Sequence, residues 1–167
     1  MNIKEKLNEL YRCSGKHANY QIVYEKLNQY LDVSCFQTKS RYERERLDYI
    51  LQHVVVKRKN ILEIGGNTGY FTFSLLAQGA KTIHYYEGNP VHAEFVKLAA
   101  ALLGFSDRIQ ITNAYYLFDE SDRRKYDIVL LLNVLHHLGD DYGNQGMSMA
   151  CAKKLIINQI NRLASNA

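Results

Sequence analysis

The sequence predicts an α/β protein in which a parallel sheet carries packed helices and is preceded by a small helical cap. Three observations point there. From Asn60 onward, short apolar runs alternate with helix-like segments, the order of elements that builds a parallel sheet. The first run, Ile61-Leu62-Glu63-Ile64, leads directly into a glycine-rich turn, Gly65-Gly66-Asn67-Thr68-Gly69. The last run, Ile128-Val129-Leu130-Leu131-Leu132, is apolar throughout, as a strand covered on both faces would be.

The elements follow in order. Apolar residues at three-to-four spacing predict helices over about Ile3 to Tyr11 (Ile3, Leu7, Leu10) and about Tyr20 to Leu31 (Val23, Leu27, Tyr30). A third helix is expected from about Ser40 to Val55. Ser40 would be its N-cap, Glu43 three residues later would complete a capping box, and Arg41 and Glu45 would pair at i,i+4. Leu47, Ile50, Leu51 and Val54 would form its buried stripe. The first strand, about Ile61 to Ile64, is followed by a helix from about Gly69 to Gln78 that stops at Gly79. The second strand, about Thr82 to Glu87, is followed by a helix with Pro90 at its first position and Gly104 at its end. The third and fourth strands are expected at about Arg108 to Thr112 and Tyr126 to Leu132. A final helix, about Gln145 to Leu163, would turn Met149, Ile156, Ile160 and Leu163 to one side.

With 167 residues the chain is long enough for one domain with a proper core. Residues 1–57 would form the cap and 58–167 the sheet core. A net charge of +4 leaves no strong nucleic-acid footprint. Cys13, Cys35 and Cys151 have no metal-type spacing and read as free thiols of a reducing compartment. The start lacks the apolar core of a signal peptide, and no apolar run approaches the ~20 residues that span a bilayer. A cytoplasmic protein with no membrane association and no metal is the expectation.

The turn after the first strand carries the functional argument. Glycines let a backbone bend sharply, and N–H groups opening the next helix can face a polar or anionic ligand. A dinucleotide fingerprint requires G-x-G-x-x-G, yet counted from Gly65 the second and third glycine positions hold Asn67 and Tyr70. What stands is Glu63-x-Gly65-x-Asn67-x-Gly69. This resembles the first motif of class I S-adenosylmethionine-dependent methyltransferases, acidic-x-Gly-x-Gly-x-Gly, with Asn at the middle glycine because Asn tolerates positive φ. Asn133-Val134-Leu135-His136-His137 after the fourth strand is similar to the fourth motif of the same family.

The resemblance implies a Rossmann-like core with strand order 3-2-1-4 and S-adenosylmethionine as cofactor, leaving as S-adenosylhomocysteine. Glu63 would support the glycine turn, and Gly65, Gly66, Asn67 and Gly69 would hold the cofactor's amino-acid end. Glu87, followed by Gly88, would accept from both ribose hydroxyls, since each carboxylate oxygen accepts separately. Asn113 and Ala114 would lie at the adenine and Asn133 beside the transferring methyl. One of His136 and His137 would take the proton of a nucleophile, its pKa being near neutrality. His17 and Tyr20, in the cap, would bear on substrate choice. The substrate would be a small molecule or sugar-like hydroxyl or amine.

Two further features complete the expectations. The basic triplets Lys57-Arg58-Lys59 and Arg123-Arg124-Lys125 would gather at the amino end of the sheet as a solvated rim, or else as a docking patch. The full core of the family has seven strands, so three are missing here and the fourth strand would be an unprotected edge. That implies either a truncated chain or coverage of the edge by another subunit or a missing C-terminal domain. The competing functions are a nicotinamide-binding oxidoreductase domain and a non-catalytic module of the same fold.

Overall fold

The structure is a computed structural model and describes residues 2–13, 21–32, 38, 40–118, 124–138, 144 and 146–164. Four strands, β1 (Asn60–Ile64), β2 (Thr82–Tyr86), β3 (Ile109–Thr112) and β4 (Ile128–Leu131), form one parallel sheet ordered β3-β2-β1-β4. The α/β expectation and its strand order both hold. The helices are α1 (Ile3–Arg12), α2 (Glu43–His53), α3 (Tyr70–Ala77), α4 (Pro90–Leu103) and α5 (Met149–Leu163).

Residues of β1 alternate between the two faces of the sheet. Ile61 joins the larger core with Phe73, Leu76, Ile83, Tyr85 and Phe95, while Leu62 and Ile64 join Tyr116, Phe118, Tyr126 and Leu163. The helix signals of the core region act as read. Gly79 and Gly104 take positive φ at the ends of α3 and α4. Pro90 opens α4, and the Asn89 side chain accepts from the Val91 N–H at 2.9 Å. α1 carries a capping box that the sequence reading did not name, between Asn2 and Glu5.

Several local expectations fail for tertiary reasons. No helix spans the described residues from Gln21 to Leu31; only a short 3-10 turn forms, Glu25–Leu27. Residues 21–24 form no helix: the Gln21 side chain accepts from the Tyr70 N–H, while Asn8 on α1 ties down Tyr30 and Asp32. These contacts outweigh a weak helix preference. α2 begins at Glu43 rather than Ser40, since Tyr42 enters at φ 60 and gives no side-chain cap. The Ser40–Glu43 contact does form, but ahead of the helix: Glu43 Oε2 accepts from Ser40 Oγ and the Arg41 N–H, both at 2.8 Å. Arg41 therefore precedes the helix and is not its first-turn partner for Glu45. In the stripe of α2, Leu47, Ile50 and Leu51 pack against the core, whereas Val54 is exposed.

β4 is only half covered. Leu130 is buried while Ile128, Val129 and Leu131 are intermediate, because no further strand lies beyond β4 among the described residues. α5 begins at Met149 and buries Gln159 and Leu163; of the four apolar residues placed on one side, Met149 and Ile160 are exposed. At the other end of the sheet Lys59 donates to Asp127 Oδ1 at 3.0 Å. Arg124 instead reaches Gln110 and the Tyr86 hydroxyl. Arg123, Cys35, His17, Tyr20 and Gln145 lie outside the described residues. No described helix is long and apolar enough to cross a membrane.

Candidate functional site

The glycine turn takes the left-handed geometry its composition demands: φ is +69 at Gly65, 51 at Asn67 and +79 at Gly69. The close approaches here are to the protein itself. A Cβ on Gly65 would lie 2.6 Å from Val134 Cγ2, and one on Gly66 2.4 Å from the Tyr85 ring. The turn thus admits the loop after β4 on one side and a β2 aromatic on the other. α3 follows with no cap from its own turn. Its first N–H, Tyr70, and the Thr68 hydroxyl both donate to Gln21 Oε1, at 3.1 and 3.3 Å.

Three acidic side chains stand around this turn in different states. Glu63, at the heart of β1, is 2% exposed and accepts from the Thr72 hydroxyl. Burial pushes its carboxyl up to about 8, with the nearby Glu87 charge adding and the Thr72 hydrogen bond opposing. Glu87 follows β2 and is tied to both flanking loops. Its Oε2 accepts from the Asn67 N–H at 2.9 Å and its Oε1 from the Asn89 N–H at 2.8 Å. Glu43, buried at 1% exposure, is the first residue of α2.

These groups meet in one cavity at the carboxyl ends of β1, β2 and β4, where an open α/β sheet places its ligands. Of the site residues read from the sequence, Glu63, Gly65, Asn67, Glu87, Gly88, Ala114, Asn133 and His137 line it. Asn133 sits at φ 57, a left-handed position that Asn tolerates. Gly66 and Gly69 lie behind the lining and shape the turn. Asn113 is not in the lining: its amide donates to the Glu87 and Gly88 carbonyls at 2.8 and 3.3 Å and braces the loop after β2. His136 belongs to a 3-10 turn, Leu135–His137, and its side chain is outside the described set.

The sequence reading missed the residues that the segments before β1 bring to the cavity. Gln21, Arg41, Glu43 and Arg46 all line the cavity. The Arg46 guanidinium lies 5.4 Å from the centre of the Phe71 ring, and its buried Nε has no hydrogen-bond partner. Nothing in local spacing marks Arg46, which reads as one of several charges on an amphipathic helix. Tyr115 covers Gly88 so closely that a Cβ there would lie 2.5 Å from the ring. His92 on α4 is 2% exposed, with neither ring nitrogen hydrogen-bonded and Nδ1 3.8 Å from Glu87 Oε1.

A family model described as a methyltransferase domain matches residues 62–152, more than half of the chain. The chain belongs to the methyltransferase-domain family. The matched span of this methyltransferase domain runs from β1 into α5 and includes the glycine turn and the loop after β4. No curated protein matches the chain. Among solved structures, a candidate methyltransferase (yhhF) from Escherichia coli is 14% identical, with a TM-score of 0.54 over 77% of this chain and 62% of that one. The StiE O-MT, residues 961–1257, is 22% identical, with a TM-score of 0.52 over 59% and 36%. A candidate S-adenosylmethionine-dependent methyltransferase (mmp1179) from Methanococcus maripaludis is 17% identical, with a TM-score of 0.51 over 69% and 48%. At these identities the likeness is one of fold. The chain spans less than two thirds of each of these structures, and only 20% of two others that match. The class I expectation stands, since the methyltransferase-domain match and the parallel sheet ordered β3-β2-β1-β4 agree with it.

Proposed function

We propose that the domain binds S-adenosylmethionine in this cavity and serves methyl transfer to an oxygen or nitrogen of a small-molecule or sugar-like substrate. The observation that carries the reading is the Glu87 carboxylate. It stands at the end of β2, fixed by the N–H groups of Asn67 and Asn89, in the same cavity as Asn133 and His137. Each of its oxygens keeps capacity for one ribose hydroxyl. Gly65 and Asn67 would hold the amino-acid end, with Glu63 supporting the turn from below. Arg46 suits the cofactor's carboxylate, since its buried Nε lacks an acceptor. Ala114 would border the adenine.

When bound, the sulfonium supplies an already activated methyl group, so the protein's work is alignment and exclusion of water. His137, half-buried in the lining, would take the proton that the nucleophile loses; His136 would be its alternative. We assign residues 1–57 the role of a cap over this site and 58–167 that of the binding core.

Calorimetric titration of the chain tests the reading. S-adenosylmethionine and S-adenosylhomocysteine are expected to bind and NAD not. Binding of NAD alone, or of none of the three, overturns it. In the same assay Arg46→Ala is expected to weaken S-adenosylhomocysteine roughly tenfold, in line with loss of one charge-assisted hydrogen bond. Adenosine, which has no carboxylate, should lose little.

A further inference from the structure

Resting on that reading, we infer that Tyr85 is a positioning residue that locks the glycine turn to β2 and couples the two ends of the cofactor site. Tyr85 is buried in the middle of the sheet, and its hydroxyl donates to the Asn67 carbonyl. The opposite side of the same residue, the Asn67 N–H, donates to Glu87. Tyr85 lies in β2 and Glu87 directly follows it, two positions on, and both side chains reach Asn67. One strand therefore grips one residue of the turn from two sides, through its N–H and through its C=O.

Gly66 fits this device. A Cβ there would lie 2.4 and 2.7 Å from two atoms of the Tyr85 ring and 3.0 Å from Glu63 Cδ. The second glycine of the turn thus makes room for the aromatic ring that holds the turn. Asn67 needs holding, because it sits at φ 51, a region that non-glycine residues seldom occupy. Without the Tyr85 donor the Asn67–Thr68 peptide, which carries that carbonyl, is free to turn, and Asn67, at its rarely occupied φ, no longer holds the neighbouring Gly66–Asn67 peptide and its N–H against Glu87. A change at the amino-acid end of the site then disturbs the ribose carboxylate, and the reverse.

The test is a double-mutant cycle read by calorimetry with S-adenosylhomocysteine. Tyr85→Phe keeps the ring and removes only the donor. Affinity is expected to fall about tenfold, with the thermal midpoint little changed. In a Glu87→Ala background the same substitution should cost less than threefold, because no side-chain acceptor then remains for the Asn67 N–H. Tyr85→4-aminophenylalanine keeps both ring and donor. It is expected to bind within threefold of the parent, and it decides the matter if Tyr85→Phe does not fold. A parent that binds while Tyr85→Phe matches it, or losses that add independently, or a 4-amino variant that binds poorly, overturns this inference and leaves the cofactor reading intact. A parent that does not bind S-adenosylhomocysteine overturns both.

Discussion

Replacing Glu87 by Ala is expected to lower S-adenosylhomocysteine affinity at least about 100-fold. Two effects add. In the proposed complex the ribose hydroxyls lose their acceptor, and the N–H groups of Asn67 and Asn89 lose theirs. Hydrogen bonds to a charged group contribute about 1.5–3 kcal/mol each, so two lost ribose bonds alone exceed two powers of ten. Glu87→Gln should not rescue fully. An amide has one accepting oxygen, so its NH2 would be turned toward one of the two backbone donors. Calorimetry on both variants gives the answer directly. Binding by Glu87→Ala within threefold of the parent would remove Glu87 from the site.

The second large effect concerns stability rather than binding. Glu63 is held in β1 with its carboxyl raised from an ordinary 4.5 to about 8, chiefly by burial. The folded chain therefore keeps a proton that the unfolded chain releases. The folded state is favoured by this difference fully below pH 4.5, and the advantage is lost as pH rises through about 8. Each unit of that window costs about 1.4 kcal/mol, so the loss by pH 8 is on the order of a few kcal/mol. Glu63→Gln keeps a carbonyl oxygen for Thr72 and abolishes the titration. It should raise the stability of the chain at pH 8, leave it nearly unchanged at pH 4.5, and flatten the profile between. Urea unfolding of parent and variant at several pH values measures the difference. Parallel profiles for the two proteins would show that Glu63 does not titrate in this window.

Most of the sheet core could be read from local chemistry. Strands β1 and β2, the turn between β1 and α3, and the punctuation by Pro90, Gly79 and Gly104 each follow from residues whose backbone preference is strong. The same holds for Glu87, whose place depends only on the length of one βαβ unit. Elements whose form depends on distant contacts were not legible. Gln21 is kept out of a helix by a bond to Tyr70, 49 positions along the chain. The N-cap expected at Ser40 fails because the Glu43 carboxylate is spent on the loop before α2. Asn113 looked like a base-edge ligand because Asn can donate and accept; its donor is taken by two carbonyls of the loop after β2.

The sequence by itself determined the fold class, the strand order and the family of this protein. The fold class rests on apolar periodicity and on where glycine and proline interrupt it, and the family and the strand order it implies rest on the resemblance carried by two short motifs, all properties of neighbouring residues. Only the tertiary structure decided how the site is assembled. It brought Arg46 of α2 and Gln21 into the cavity beside the turn, left β4 half covered among the described residues, and set Tyr85 against Gly66. The physical reason is the range of the forces involved. Backbone preference acts within a turn or a strand, whereas burial and hydrogen bonding pair groups wherever packing brings them together, with no trace in their spacing along the chain.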